Sequence, residues 1–210
     1  MKLQEYKYRV EEGRSYLSVN DPVLKSIIVK VGEYRIKPHK NYFETLVESI
    51  VSQQLSIKAA DTIFKRFKEL FPENNNRFPL PSDIIAIDDI KLRTCGLSNP
   101  KVKYIKDLSA KVLDGTVQIT KMDKLTDEDI INELVKVKGI GVWTAHMFLI
   151  FCLARFNVLP VGDLGIKRAL MINYKLRKFP DEKKVEQISK KYNWAPYNSI
   201  ASWYLWQSLK

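Results

Sequence analysis

Two short stretches carry residue types whose spacing could do chemistry. In "LVKVKGIGVWTAHMFLI", Gly139 and Gly141 stand one residue apart at the mouth of a long apolar run. Glycine reaches backbone angles closed to other residues, and its missing side chain lets main-chain amides close on a ligand. A helix starting near Val142 would aim its first N–H groups and its positive dipole end at the same point. A phosphodiester suits such a hook and can be held there without any base being read. In "LPVGDLGIKRAL", Asp163 follows a Pro–Gly loop and directly precedes a helical pattern. General cap preferences make such an aspartate an N-cap. The same amides favour the ionised form of a carboxylate, and a fixed anion can stabilise positive charge developing on a sugar ring.

A bare Gly-x-Gly is more often an ordinary helix C-cap followed by loop filler. Here apolar Leu134, Val137 and Ile140 precede and span the bend, and Lys136 and Lys138 flank it. We therefore read the segment as a helix-hairpin-helix. Lys and Arg number 35 against 24 Asp and Glu, a net charge of +11. Such a balance favours a polyanionic partner, because each phosphate neutralised releases counterions; a lysine-rich proteome would give the same balance. The chain has 2 cysteines, Cys95 and Cys152. They offer no metal spacing, no iron–sulfur cluster and no disulfide framework. The N-terminal residues lack an apolar signal core. The longest apolar run, "MFLIFCLARF", is broken by Arg155 and is too short for a bilayer. These features predict a soluble intracellular protein with no membrane partner.

The elements that must position these residues are helical. Asp21 and Pro22 open a helix that Gly32 closes. From Asn41, Phe43, Leu46, Val47, Ile50 and Val51 form one helical stripe; after "SQQ", Ile57, Ala60, Ile63, Phe64 and Phe67 form a second, with Ser56 as N-cap. The Asn- and Pro-rich "PENNNRFPLPSD" reads as a loop. A short helix follows from Ser82 or Asp83 towards Ile90, then a helix, a turn at Gly96 and a helix ending before Gly115. Thr126 opens a helix that runs to Gly139. An apolar helix spans Val142–Phe156, another begins at Asp163, and a last one lies in "APYNSIASWYLWQSLK". The segment "YKYRVEEGRSYL" fits a short strand or a frayed helix. Few segments alternate with period two, so the expected class is all-α.

Taken together, the hairpin and Asp163 resemble the helix-hairpin-helix DNA glycosylase superfamily, most closely its 3-methyladenine (alkylated-base) branch. The resemblance extends through "DPVLKSIIVKVG", "FETLVESIVSQQLSIKAADTI", "LRTCGLSNPKVKYIKDLS" and "WAPYNSIASWYLW", and covers most of residues 21–206. It implies a two-lobed helical unit over 1–210, one lobe at 41–160 and the other joining 1–40 to 161–210, with a DNA cleft and Asp163 between them. It implies that Asp163 is catalytic, that Gly139 and Gly141 hold a phosphate, and that the carbonyls of Val135, Val137 and Ile140 cradle a sodium or potassium ion. Gln54, or its neighbour Leu55, would fill the gap left by a flipped base. In bifunctional relatives a lysine at position 143 attacks the sugar; Trp143 cannot, so the resemblance implies a monofunctional enzyme. Trp143 and Tyr197, with Met147 and Leu164, would form the base slot. Core packing is the competing role for Trp143 and Met147.

Ser98 and Lys101 fit phosphate contacts from a second turn, or a solvated loop. His146 reads as structural, His39 as surface, and Trp203 and Trp206 as packing for the last helix. Met147 and Leu164 replace residues that are aromatic in some members, Asn198 replaces a frequent arginine, and Lys138 a frequent proline. The expected activity is excision of alkylated purines from double-stranded DNA by a monomer. It needs no cofactor and acts in the cytoplasm, at the nucleoid or in a nucleus. A glycosylase for oxidised or deaminated bases would keep Asp163 and the hairpin. A non-catalytic DNA-binding module would need only the hairpin and the basic surface.

Overall fold

The computed structural model describes residues 3–72 and 77–210. Residues 73–76 of the expected loop lie outside the described residues. Twelve α-helices and no strand occur among the described residues: α1 (Leu3–Asn20), α2 (Pro22–Val31), α3 (Tyr42–Ser52), α4 (Ile57–Glu69), α5 (Pro81–Ala86), α6 (Asp89–Thr94), α7 (Asn99–Leu113), α8 (Asp127–Leu134), α9 (Val142–Phe151), α10 (Leu164–Asn173), α11 (Glu182–Lys191) and α12 (Asn198–Gln207). The chain divides into a terminal unit, Met1–Pro38 with Leu149–Lys210, and a middle unit, His39–Phe148.

The helices start where short polar side chains can satisfy orphan amides. Asp21 accepts from Val23 and Leu24 at 2.9 and 3.1 Å, Thr126 from Asp129 at 3.1 Å, and Asp181 from Lys184 at 2.7 Å. Within the middle unit, α3 buries Leu46, Val47, Ile50 and Val51, and α4 buries Ala60, Phe64 and Phe67. Helix α3 packs against both α4 and α7, and α7 brings in Val102, Ile105 and Leu108. The terminal unit closes on Leu17, Leu24, Leu170, Trp194, Ile200 and Tyr204. Its centre holds a fully buried carboxylate: besides capping α2, Asp21 accepts from the Tyr174 hydroxyl and from the Trp194 indole at 2.8 Å.

Several elements differ from the sequence reading. The ambiguous N-terminal stretch is one 18-residue helix. Its buried stripe is Tyr6, Val10, Gly13 and Leu17, spaced 4, 3 and 4. Gly13 hides the pattern, because a Cβ there would stand 2.6 Å from Ile200 and from the Tyr197 ring. Helix α11 was not expected at all. The hairpin helix stops at Leu134 rather than Gly139, and α9 stops at Phe151 rather than Phe156. Beyond α9 the chain turns through left-handed Ala154 (φ 51°), and the Arg155 amide donates back to Leu149. Residues 149–160, expected in the first lobe, group with the terminal segments. The reason is hydrogen bonding to α12: Ser199 N donates to Phe156 O, and Val158 N to the Ser199 hydroxyl oxygen, both at 2.9 Å.

Candidate nucleic-acid interface and catalytic carboxylate

In the middle unit the hairpin is built from residues 135–141 between α8 and α9. Lys136, Val137 and Ile140 donate their amides to Glu133, Leu134 and Val137 at 3.2, 3.0 and 3.0 Å. Helix α7 pins the bend from one side. Asp107 Oδ2 accepts the Lys138 amide at 2.8 Å and the Lys111 ammonium at 2.5 Å, and Lys111 also donates to Lys136 O at 2.7 Å. Burial alone would raise the Asp107 pKa, but Lys111 and the Lys138 amide outweigh it and hold the carboxyl below its ordinary range.

The two hairpin glycines have different reasons to be glycine. Gly139 has φ 82°, and a Cβ there would stand 2.2 Å from the Tyr104 ring. The fold itself therefore requires it. Gly141 has no such angle, and a Cβ would meet nothing within 4 Å. It leaves an open backbone face at the start of α9, where first-turn amides have no intrahelical acceptor.

Beside the hairpin lies a concavity of about 670 Å³, lined by Gln54, Ser98, Lys101, Tyr104, Gly139 and Trp143, among others. The sequence-derived residues Gln54, Ser98, Gly139 and Trp143 thus share one wall. Trp143 is 50% exposed, so it is not core packing. Met147 is half-buried and does not line this concavity. Residues 52–55 form a type II turn closed by Leu55 N donating to Ser52 O at 3.2 Å. Gln54 takes its left-handed position with φ 58°. Glycine or asparagine is usual there, and a larger residue costs about 1 kcal/mol or more. Gln54 and Leu55 are both exposed at the tip.

Two residues hold this wall in ways the sequence did not suggest. Lys101 is turned inward: its ammonium donates to the Val51 and Gln53 carbonyls, both at 2.7 Å, and burial lowers its pKa. Two of its three N–H donors thereby cap α3. Gln53 Nε2 donates to Gly139 O at 2.8 Å and ties the turn to the hairpin. His146 is half-buried, and desolvation lowers its pKa against a smaller opposing effect of Asp127.

In the terminal unit Asp163 is buried and caps α10. Its Oδ1 accepts the Ile166 amide at 2.7 Å and the Trp206 indole N–H at 2.8 Å. Both donors use the same oxygen, which fixes the plane of the carboxylate. Gly165 makes room for this arrangement, since a Cβ would lie 3.0 Å from both Asp163 Oδ1 and the Trp206 ring. Trp206 stacks on Phe151 with ring centroids 5.5 Å apart, and Phe151 is 41% exposed. Trp206 was expected only to pack; it orients the carboxylate as well. Trp203 does pack, against Tyr34 and Tyr204.

Leu164 is exposed beside Asp163. Tyr197 is buried, its ring lies against Gly13, Tyr16 and Phe156, and burial, then Glu12, pushes its pKa up to about 12. Asn198 is likewise interior, bonded to Ser189 and Asn157, both at 2.7 Å. No helix among the described residues is long and apolar enough to cross a membrane.

An all-helical fold with a glycine hairpin before an apolar helix, followed by a capped aspartate, defines the helix-hairpin-helix class of DNA repair proteins. Comparison with known proteins makes this specific: the pattern of the "HhH-GPD superfamily base excision DNA repair protein" family matches residues 47–194. The chain belongs to that superfamily. It is 36% identical to DNA-3-methyladenine glycosylase 1 of Schizosaccharomyces pombe over 99% of this chain and 91% of that one. The solved structure of an S. pombe 3-methyladenine DNA glycosylase in complex with abasic DNA superposes with a TM-score of 0.82 at 35% identity, covering 94% of this chain and 96% of that one. A DNA-3-methyladenine glycosidase from Bacillus halodurans gives 0.81 at 35% identity, covering 93% and 88%.

Proposed function

We propose that this protein is a monofunctional DNA glycosylase that hydrolyses the N-glycosidic bond of alkylated purines such as 3-methyladenine in duplex DNA, leaving an abasic site. The observation that carries the reading is that the chain has a held carboxylate at Asp163 and no amine at position 143. A buried carboxylate with its plane fixed by two donors is present, and tryptophan stands where a Schiff-base enzyme needs an amine.

The target bond is inaccessible in the stack, so the nucleotide must leave the duplex first. The hairpin amides at Gly139 and Gly141 hold a phosphate, Ser98 supports a neighbouring one, and the Gln54–Leu55 tip enters the space left behind. Methylation at N3 or N7 makes the purine cationic, so the C1′–N bond breaks with both electrons leaving on the base, which departs neutral. The sugar carries the positive charge at that moment, and the Asp163 carboxylate stabilises it. Water then forms the new C1′–O bond and loses its proton to solvent. Trp143 offers an electron-rich face that selects a cationic base. Trp206, itself stacked on Phe151, gives the carboxylate an aromatic neighbour.

The resemblance implies a monovalent cation at the hairpin, and the donor set suits one. The carbonyls of Val135, Val137 and Ile140 are neutral hard oxygens, and Val137 O, which accepts the Ile140 amide, keeps a second lone pair. A bound ion would offset phosphate charge, and no step depends on it. The enzyme acts as a monomer, wherever the cell keeps its DNA.

The test is base release from duplexes carrying 3-methyladenine, N7-methylguanine, hypoxanthine or 8-oxoguanine, with strand breakage scored before and after alkali. Release of the methylated purines with nicking only after alkali is expected. Release of hypoxanthine or 8-oxoguanine alone would move the substrate class. Nicking without alkali would overturn the monofunctional assignment, and DNA binding without any release would leave a binding module.

A further inference from the structure

We propose that the terminal unit carries a second DNA-binding surface, separate from the hairpin, that grips the backbone of the duplex outside the lesion. It is the groove of about 560 Å³ between Leu176 and Gln187. The inference rests on duplex DNA being the substrate.

The groove walls carry Arg177, Lys178, Lys183 and Lys184, all exposed. Among the described residues none of these four side chains is in an ion pair or hydrogen bond with another part of the chain. Other basic side chains do have carboxylate partners: Lys106 pairs with Asp89, Lys111 with Asp107 and Arg14 with Glu11. The carboxylate on the groove wall, Asp181, is committed as the cap of α11, accepting the Lys184 amide. Its neighbour Glu182 is directed elsewhere, 3.9 Å from the Lys167 ammonium. The strip is therefore concave and net positive, four cations against one carboxylate. Phe179, 52% exposed among these cations, adds a flat apolar face suited to a deoxyribose between two phosphates.

Position favours DNA over an acidic protein segment. Glu182 also lies against the loop that presents Asp163, 3.4 Å from where a Cβ on Gly162 would stand. The first turn of α11 thus adjoins the catalytic loop. Lys183 follows Glu182 directly, so the groove begins one helix diameter, roughly 10–12 Å, from the carboxylate. A duplex advances about 3.4 Å per base pair, so an arm of roughly four base pairs reaches it. At that range salt screens the groove's charge from the reacting sugar, so it adds affinity without changing the chemical rate.

The experiment measures the salt dependence of binding to a duplex with one reduced abasic site, using arms of about three and about fifteen base pairs. The Arg177→Gln, Lys178→Gln, Lys183→Gln, Lys184→Gln variant is compared with wild type and with an Arg177→Lys, Lys178→Arg, Lys183→Arg, Lys184→Arg variant. Each lost phosphate contact lowers the slope of log K against log salt by about 0.9, so a drop of about 2–4 is expected on the long duplex and none on the short one. The charge-retaining variant keeps the wild-type slope, and all three proteins melt alike. An unchanged slope on the long duplex overturns the proposal and leaves the strip to an acidic protein partner. An equal drop on both duplexes also overturns it, as a general charge effect. Failure of the functional reading is separately visible, as wild-type protein that binds both duplexes but releases no methylated purine.

Discussion

Replacing each hairpin glycine by alanine separates the hairpin's structural work from its ligand work. At Gly139 the new Cβ meets the Tyr104 ring at 2.2 Å, and φ is 82°. The backbone strain costs about 1 kcal/mol and the displaced ring about 1–3 kcal/mol. Gly139→Ala should therefore lose about 3 kcal/mol, a Tm drop of roughly 6–12 °C for a chain of this length. At Gly141 the Cβ meets nothing and the backbone is ordinary. Gly141→Ala should melt within about 2 °C of wild type, because only a small loss of conformational entropy in the unfolded chain is in play. The methyl group would nevertheless stand where a phosphate must approach the amides. Losing one charge-assisted hydrogen bond there costs about 1.5–3 kcal/mol, or roughly 10–100-fold in DNA affinity. Thermal melts and binding to an abasic duplex read the two effects. Wild-type DNA affinity in a normally folded Gly141→Ala protein would refute the argument, since the open face would then carry no ligand.

Other perturbations follow from the same geometry. Trp206→Phe keeps an aromatic ring over Phe151 but removes the indole donor to Asp163; single-turnover base release should slow by roughly 10–100-fold with DNA affinity unchanged, for the loss of a bond of about 1.5–3 kcal/mol to a charged group. Asp21→Asn turns an amide against the Tyr174 hydroxyl, the Trp194 indole or the α2 amides, all donors to the buried carboxylate; denaturant titration should show a loss of about 3–5 kcal/mol. His146 has a lowered folded pKa because of burial, so the unfolded chain binds a proton more readily. Its contribution to stability is present above the unfolded value of about 6.5 and is lost as pH falls through that value towards the folded pKa. Tm should therefore fall on acidification, and His146→Gln should flatten that fall.

Much of the fold was legible because caps and apolar stripes coincide. Asp21 with Pro22, Ser56, Thr126 and Asp163 each stand at the observed start of a helix. Helix α1 was ambiguous because one position of its stripe is Gly13, and exposed Tyr8 and Val19 blur the remainder. Helix α11 was missed although Asp181 caps it and Val185 and Ile188 lie three apart; its many lysines made it read as solvated chain. The hairpin and Asp163 were visible because glycine and an N-cap leave local signatures. The supports were not: Gln53 reaches across 86 residues of chain and Lys101 across 50. Tyr197 and Trp206 look alike in the sequence as aromatics near the last helix. Only the packing shows that Tyr197 is enclosed by Gly13 and Tyr16, while Trp206 turns its N–H to Asp163.

The most direct test of the central claim is the single-turnover rate of 3-methyladenine release by wild type and by Asp163→Asn. The substitution suits the question, because an asparagine Oδ1 can still accept from Ile166 and Trp206, so fold and DNA affinity should survive. Loss of the negative charge facing the cationic sugar predicts a rate lower by about 10²–10³-fold. Equal rates from the two proteins, both folded and both bound to DNA, would contradict the account and reduce Asp163 to the cap of α10.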